Sequence, residues 1–179
     1  RTDFDLSRHE EFSGKKLQFY DHEIKDSYVP YVIETSVGLD RMFLAIISNA
    51  LQEEEVPDSK GNSSKRTVMK IHPALAPVSC AVLPLVKNKE ELTDKTTNIF
   101  NQLKAHFNCQ YDDKDAVGRR YRRQDAIGTP FCVTVDFESL EDDCATIRDR
   151  DSLEQIRLPI SEIADHIRSK VSMTNLISE

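Results

Sequence analysis

Four arginines, Arg119, Arg120, Arg122 and Arg123, crowd five positions of a chain whose formal net charge is −7. A guanidinium carries rigid, forked donors that suit carboxylates and phosphates, so the cluster asks for an anion. The surrounding residues read as a helix from about Gly118 to Ile127, with the arginines in its opening turns. That end is the positive pole of the helix dipole, where each cation costs roughly 0.3–1 kcal/mol and stability alone favours Asp or Glu. Two readings are open. One is a solvated face on which Arg122 and Asp125 pair at i,i+3 for little gain. The other is an anion site, with Tyr121 offering a ring on which a base could stack. A second charged run, "ATIRDRDSLEQIR", sends Arg148 and Arg150 to one side of an extended strand and Asp149 and Asp151 to the other. It fits either an edge strand protected by charge or a ligand contact.

A third stretch, "VIETSVGLDR", places Arg41 after a Gly-x-x turn at the start of an apolar helix. A guanidinium there is costly unless it is paired, and a triphosphate would serve. Glu34 and Ser36, two apart on a strand, share a side, and a carboxylate with a hydroxyl suits a small ammonium group. Without further context, Arg41 and Glu34 could equally pair with each other.

The elements that position these residues fall into two parts. Residues 1–56 read as a strand ("RTDFDL"), a short helix, a strand ("YVPYVIETSVGL") and a longer helix ("DRMFLAIISNAL"). Ser7 and Glu10 have capping-box spacing for the short helix, and Gly14 can close it. In the longer helix Met42, Phe43, Ile46, Ile47, Ala50 and Leu51 form an apolar face that Leu44 and Ala45 widen, so it calls for cover on nearly all sides. This part is expected to be the end of a larger domain. Residues 52–68, "QEEEVPDSKGNSSKRTV", read as a solvated connector.

From Val78 onward strands and helices alternate. "VSCAVLPL" is a buried strand, followed by a helix with Leu92, Ile99, Phe100, Leu103 and Phe107 on one face. A short strand near Cys109–Asp112 comes next, then the arginine-bearing helix and the strand "PFCVTVDF". Two shorter strands follow, and a last helix carries Ile160, Ile163, Ile167 and Val171. The order predicts an α/β fold with a mixed, mainly parallel five-stranded sheet flanked by helices.

Composition narrows the classes. The 39% hydrophobic and 31% charged residues fit an ordinary soluble protein, and no apolar run approaches the ~18 residues of a membrane span. Cys80, Cys109, Cys132 and Cys144 are widely spaced, without a C-x-x-C pair, and read as buried, reduced thiols of a cytosolic protein. No metal site is assigned. The acidic balance argues against a general nucleic-acid coat but leaves room for a local basic patch on a phosphate backbone. The chain starts at Arg1 without an initiator methionine and is expected to be a segment of something longer.

"VIETSVGLDR" resembles the third signature motif of class II aminoacyl-tRNA synthetases, in the form found in glycyl-tRNA synthetases. "HPALAPVSCAVLPL", "GRRYRRQDAIGTPFCVTVDF" and "ATIRDRDSLEQIR" are similar, in order and spacing, to the C-terminal anticodon-binding domain of that family. One departure is Thr35, where the family usually has proline; motifs one and two are absent. The resemblance implies that residues 1–70 are a remnant of the antiparallel class II catalytic domain with its linker, and that 71–179 form the anticodon-binding domain. It implies ligation of glycine to tRNA(Gly) through a glycyl-adenylate, with ATP and Mg2+ as the substrate complex and no prosthetic group. Arg41 would bind the γ-phosphate and Gly38 would let adenine approach the backbone. Glu34 and Ser36 would hold the glycine ammonium.

For the anticodon, Arg119, Arg120, Arg123, Arg148 and Arg150 would meet phosphates or bases. Asp125 or Glu138 would accept from a cytosine amino group, since glycine anticodons carry cytosines at their second and third positions. The implied enzyme is a cytoplasmic homodimer that binds tRNA(Gly), with no membrane or DNA partner; the fragment alone is expected to be inactive. The alternative is a non-catalytic nucleic-acid-binding subunit built from the same modules, like the accessory subunit of the mitochondrial DNA polymerase. Keeping Glu34, Ser36 and Arg41 together argues against that alternative, because a duplex clamp needs no glycine pocket.

Overall fold

The structure is a computed structural model that describes residues 2–57 and 63–174. The chain divides by its contacts into Arg1–Met42 and Phe43–Glu179.

The first unit opens with helix α1, Phe4–Ser13. "RTDFDL" is therefore no strand: its alternation rests on two apolar residues, and Asp5 in the first turn suits the helix dipole. Ser7 lies inside the helix, its N–H bonded to the Asp3 carbonyl at 2.9 Å, so no capping box forms. Gly14 closes the helix at φ 66°, where its N–H reaches the Glu10 carbonyl. Strands β1, Phe19–Asp21, and β2, Asp26–Tyr28, make a short antiparallel pair with the Phe19 ring edge-on to Tyr28. Beyond Tyr28, residues 29–38 have no regular structure, and the strand expected over "YVPYVIETSVGL" is absent. Pro30 lacks the N–H that would continue the ladder.

Helix α2, Leu39–Ala50, forms as the periodicity predicts, and the division between the two units falls within it. Ala50 is its one buried residue; Met42, Phe43 and Leu44 are exposed. Among the described residues, the cover that its apolar circumference calls for is missing.

In the second unit, strands β3, Leu51–Pro57, and β4, Ser63–Met69, pair antiparallel from Leu51↔Met69 to Pro57↔Ser63. The expected connector is thus a hairpin. Period two is present in β4, where the buried Arg66 and Val68 alternate with the exposed Lys65 and Thr67. One of the two inward positions is an arginine, which hides the pattern from a hydrophobicity reading.

A turn of 3-10 helix at Pro73–Leu75 leads into the sheet, whose strands are β5 (Cys80–Pro84), β6 (Cys109–Tyr111), β7 (Phe131–Val135), β8 (Cys144–Asp149) and β9 (Gln155–Pro159). Their spatial order is β6-β5-β7-β8-β9, with β5 parallel to β6 and β7 and the other two pairings antiparallel. This is the mixed five-stranded sheet that the sequence predicts. Helices α3 (Glu90–Lys104), α4 (Val117–Ile127), the short α5 (Ser139–Asp142) and α6 (Ile160–Val171) connect or follow the strands.

Chain direction along the sheet reverses after β6, so right-handed crossovers send α3 and α4 to opposite faces. The packing agrees. Val82, Val133, Val135 and Ile147 meet Leu92, Ile99 and Leu103 of α3 and Ile163 and Ile167 of α6. On the other face, Ala81, Leu83 and Cys132 lie under Tyr121 of α4. Each fully buried Leu or Ile contributes about 1.5–3 kcal/mol, which fixes the platform on which α4 presents its arginines.

Candidate nucleic-acid interface

Helix α4 begins after Ala116 without a side-chain cap, and no acidic residue sits in its first turn. Its four arginines occupy four different environments. Arg120 points inward: it is 2% exposed and donates to the backbone carbonyls of Lys114, Asp115 and Pro84. It ties the loop before α4 to the end of β5 and cannot reach a nucleic acid, contrary to the expectation placed on it. Arg123 forks onto Asp112, with Nε–Oδ2 3.0 Å and Nη2–Oδ2 2.9 Å, and reaches Asp115 at 2.8 Å. Those carboxylates, Asp112 first, hold its pKa above the usual value. Arg119 is the open one, with a side chain 77% exposed and, among the described residues, only a loose 3.6 Å pairing to Asp115. Arg122 leans toward the hairpin, where Nη2 donates to Ser64 Oγ at 2.8 Å. Its Nη1 is buried without a hydrogen-bond partner among the described residues.

Arg119, Tyr121, Arg122, Arg148, Leu153 and Gln155 line an open groove of about 650 Å³ between the start of α4, the hairpin and the β8–β9 turn. A buried charge network forms its floor. Asp125 is fully buried and accepts from Arg148 at 2.8 and 3.0 Å and from Arg66 at 3.1 Å. Arg66 also forks onto Glu54 at 2.7 and 3.0 Å. Glu54 in turn is held below the ordinary glutamate value of 4.5, by its hydrogen bond from Lys70 first and Arg66 second, against the opposing effect of burial. Asp125 is therefore no acceptor for a cytosine amino group, since both of its oxygens are occupied by guanidinium donors in the interior. The i,i+3 pairing of Arg122 with Asp125 does not form either.

Arg148 sits over the Tyr121 ring at 4.7 Å, so the face on which a base was expected to stack is already covered. The Tyr121 hydroxyl shares a 2.7 Å hydrogen bond with Thr134, and burial pushes its pKa up. Burial would lower the Arg148 pKa, but Asp125 outweighs it and the net direction is up. Arg150 is also withdrawn from the surface: it donates to the Gly128 and Ile71 carbonyls, each at 2.8 Å, and to Asp151. This overturns its expected role and leaves Arg148, at the groove's edge, as the reachable member of the two. Glu138 is exposed, 3.9 Å from Arg157. The sequence reading missed Arg66 and Glu54. Their only signal is the inward register position that Arg66 shares with Val68.

In the first unit Glu34, Ser36, Gly38 and Arg41 are all exposed. Glu34 and Ser36 lie in the irregular segment, not on a strand, and a Cβ on Gly38 would meet only the aliphatic part of the Arg41 side chain at 3.9 Å. Among the described residues no group of three metal-ligating side chains comes together. No described helix is long and apolar enough to cross a membrane.

Comparison with known proteins gives the fold a context. Residues 79–170 match the family described as anticodon binding domain. The chain is 50% identical over 172 residues to a protein named glycine–tRNA ligase from Staphylococcus haemolyticus, covering 96% of this chain and 36% of that relative. Identity is also 50% over 163 residues to the protein of that name from Clostridium perfringens, covering 91% of this chain and 34% of it. This chain thus spans about a third of the length of these curated relatives. Among solved structures, a prolyl-tRNA synthetase from Cryptosporidium parvum, complexed with L-proline and AMP, superposes with a TM-score of 0.52 at 22% identity, over 65% of this chain and 30% of that one. That likeness shows the fold. Since the family match spans the whole five-stranded sheet and the helix whose arginines border the groove, the chain belongs to the anticodon-binding-domain family.

Proposed function

We propose that this chain is the C-terminal part of a glycine–tRNA ligase and that its second unit holds the anticodon loop of tRNA(Gly). The observation that carries the reading is 50% identity, along 96% of the chain, to a protein bearing that name. The groove supports the RNA half. An exposed Arg119, and an Arg122 with an unpartnered buried nitrogen, border an opening wide enough for a splayed nucleotide. Phosphate oxygens would complete Arg122 and attract Arg119. Arg148 would present its outer edge to a base, and Arg123, although paired, stays within reach of the backbone. Glu138 is the remaining carboxylate acceptor for a cytosine amino group.

Residues 1–70 are read as the end of the catalytic domain and 71–179 as the anticodon-binding domain, with the hairpin as the seam. Arg41 would take the γ-phosphate of Mg-ATP, Gly38 would admit the adenine, and Glu34 with Ser36 would bind the glycine ammonium. Those four residues are exposed here, so the rest of the catalytic domain must gather them into a pocket. The intact enzyme is proposed to be a cytoplasmic homodimer.

The test uses the full-length protein. Glycine-dependent exchange of pyrophosphate into ATP should be present. Arg119→Ala and Arg122→Ala should each raise KM for tRNA roughly tenfold while leaving exchange unchanged, since each removes a charge-assisted contact. Absence of exchange would sink the ligase reading. Normal charging by both variants at moderate salt would sink the groove assignment.

A further inference from the structure

We propose that Cys80 and Cys109 form a reversible oxidation site, at which a hydroperoxide closes an intramolecular disulfide between two neighbouring parallel strands. Cys80 opens β5, Cys109 opens β6, and the two stand opposite each other in the register. Their side chains therefore share a face of the sheet, and the sulfurs are 3.2 Å apart. Adjacent strands lie about 4.8 Å apart, inside the Cα window of roughly 4.4–6.8 Å that a disulfide tolerates. Bringing the sulfurs to bonding distance, about 2.05 Å, needs an approach of only about 1 Å. Strand β6 can supply it, because it is three residues long and sits at the sheet edge with one hydrogen-bonded neighbour.

The two thiols differ in a way that gives each a role. Cys109 is partly exposed and Cys80 is fully buried. The hydrogen bond from Cys80 holds the Cys109 thiol below its usual range in spite of burial, while the same bond and burial push Cys80 up. The thiolate thus forms on the sulfur that solvent reaches. Its attack on a hydroperoxide forms an S–O bond and breaks the O–O bond, and the departing oxygen leaves as water or an alcohol. The Cys80 sulfur then attacks the Cys109 sulfenic acid: the S–S bond forms, the S–O bond breaks, and hydroxide leaves with the Cys80 proton as water. Two thiols are oxidised and one peroxide is reduced.

The other two cysteines act as internal controls. Burial pushes the Cys132 thiol up to about 12, and Cys144 is pushed up by burial and then by Asp142.

The full-length protein is treated with one equivalent of hydrogen peroxide, quenched in acid, alkylated and mapped by mass spectrometry. Cys80 and Cys109 should lose alkylation together, their peptides should appear linked with two hydrogens fewer, and dithiothreitol should restore both. Cys144 should stay alkylated. In Cys109→Ser, Cys80 should remain fully alkylatable after the same treatment. Independent oxidation of Cys109 to sulfinic acid with Cys80 still alkylated would overturn the proposal, as would a linked peptide containing Cys144 or joining two chains.

Discussion

Replacing Asp125 with Asn tests whether the groove floor is held by charge. Asp125 is fully buried and neutralises two guanidiniums whose side chains are 1% and 9% exposed. Breaking a buried pair costs about 3–5 kcal/mol, because the surviving charge is left uncompensated. The structure says which survivor suffers. Arg66 keeps a carboxylate, Glu54 at 2.7 Å, whereas Arg148 is left with the Tyr121 ring, a contact of about 0.5–2 kcal/mol that it already makes, and the Cys132 thiol, neither of which supplies a counter-charge. The estimate therefore sits at the low end, about 3 kcal/mol, and lowers the thermal midpoint by roughly 6–12 °C for a chain of this size. Asn preserves shape, so urea unfolding should show an unchanged m-value and a lower midpoint. Adding Arg148→Met should recover part of the loss, since it removes the orphaned charge. A cost below about 1 kcal/mol, or a double variant worse than the sum of the singles, would refute the argument.

Acid should weaken the hairpin. The folded pKa of Glu54 is lower than its unfolded value, so its contribution is complete above the ordinary 4.5 and is lost as pH falls through the folded pKa. Stability measured against pH should drop in that window, and Glu54→Gln should start lower and converge with the parent at low pH; parallel curves would contradict this. Gly128→Ala should destabilise by at least about 1–2 kcal/mol, because φ is 87° there and the new Cβ would stand 2.9 Å from Ile71 Cγ2. A thermal melt within a degree of the parent would be inconsistent with that packing. Arg120→Ala should lower stability by about 2–3 kcal/mol, by removing the guanidinium donor from the Pro84 and Asp115 carbonyls while the Lys114 carbonyl keeps Arg123 Nη2, and should leave KM for tRNA unchanged in the protein that folds.

The sheet was legible because β5 is a continuous apolar run, β7 is one broken only by Thr134, and α3 and α6 repeat their apolar residues at helical spacing; none of those signals depends on a distant partner. The site was less so. Arg119 and Arg120 are neighbours with identical chemistry, yet one faces solvent and the other the interior, and the difference is a third of a helical turn combined with the position of Pro84. Asp125 and Arg66 are 59 residues apart, beyond any local periodicity. Burial of a charged residue is set by whether a counter-charge, as for Asp125, or a set of carbonyl acceptors, as for Arg120, meets it, which a single sequence does not disclose. The irregular segment from residue 29 to 38 failed for another reason: its residues favour a strand, but a strand needs neighbours, and among the described residues no strand pairs with it.

The Asp125 linkage also bears on where the sheet can be excised as a separate polypeptide. Arg66 and the wholly enclosed Val68 belong to the hairpin, and the Ile71 carbonyl beside it receives Arg150. A product starting at Ile71 would unroof Asp125 on one flank, remove one of its two counter-ions, Arg66, and open an apolar wall. Dissection upstream of Leu51 keeps the roof, and its cleavage-resistant limit fragment should retain both hairpin strands.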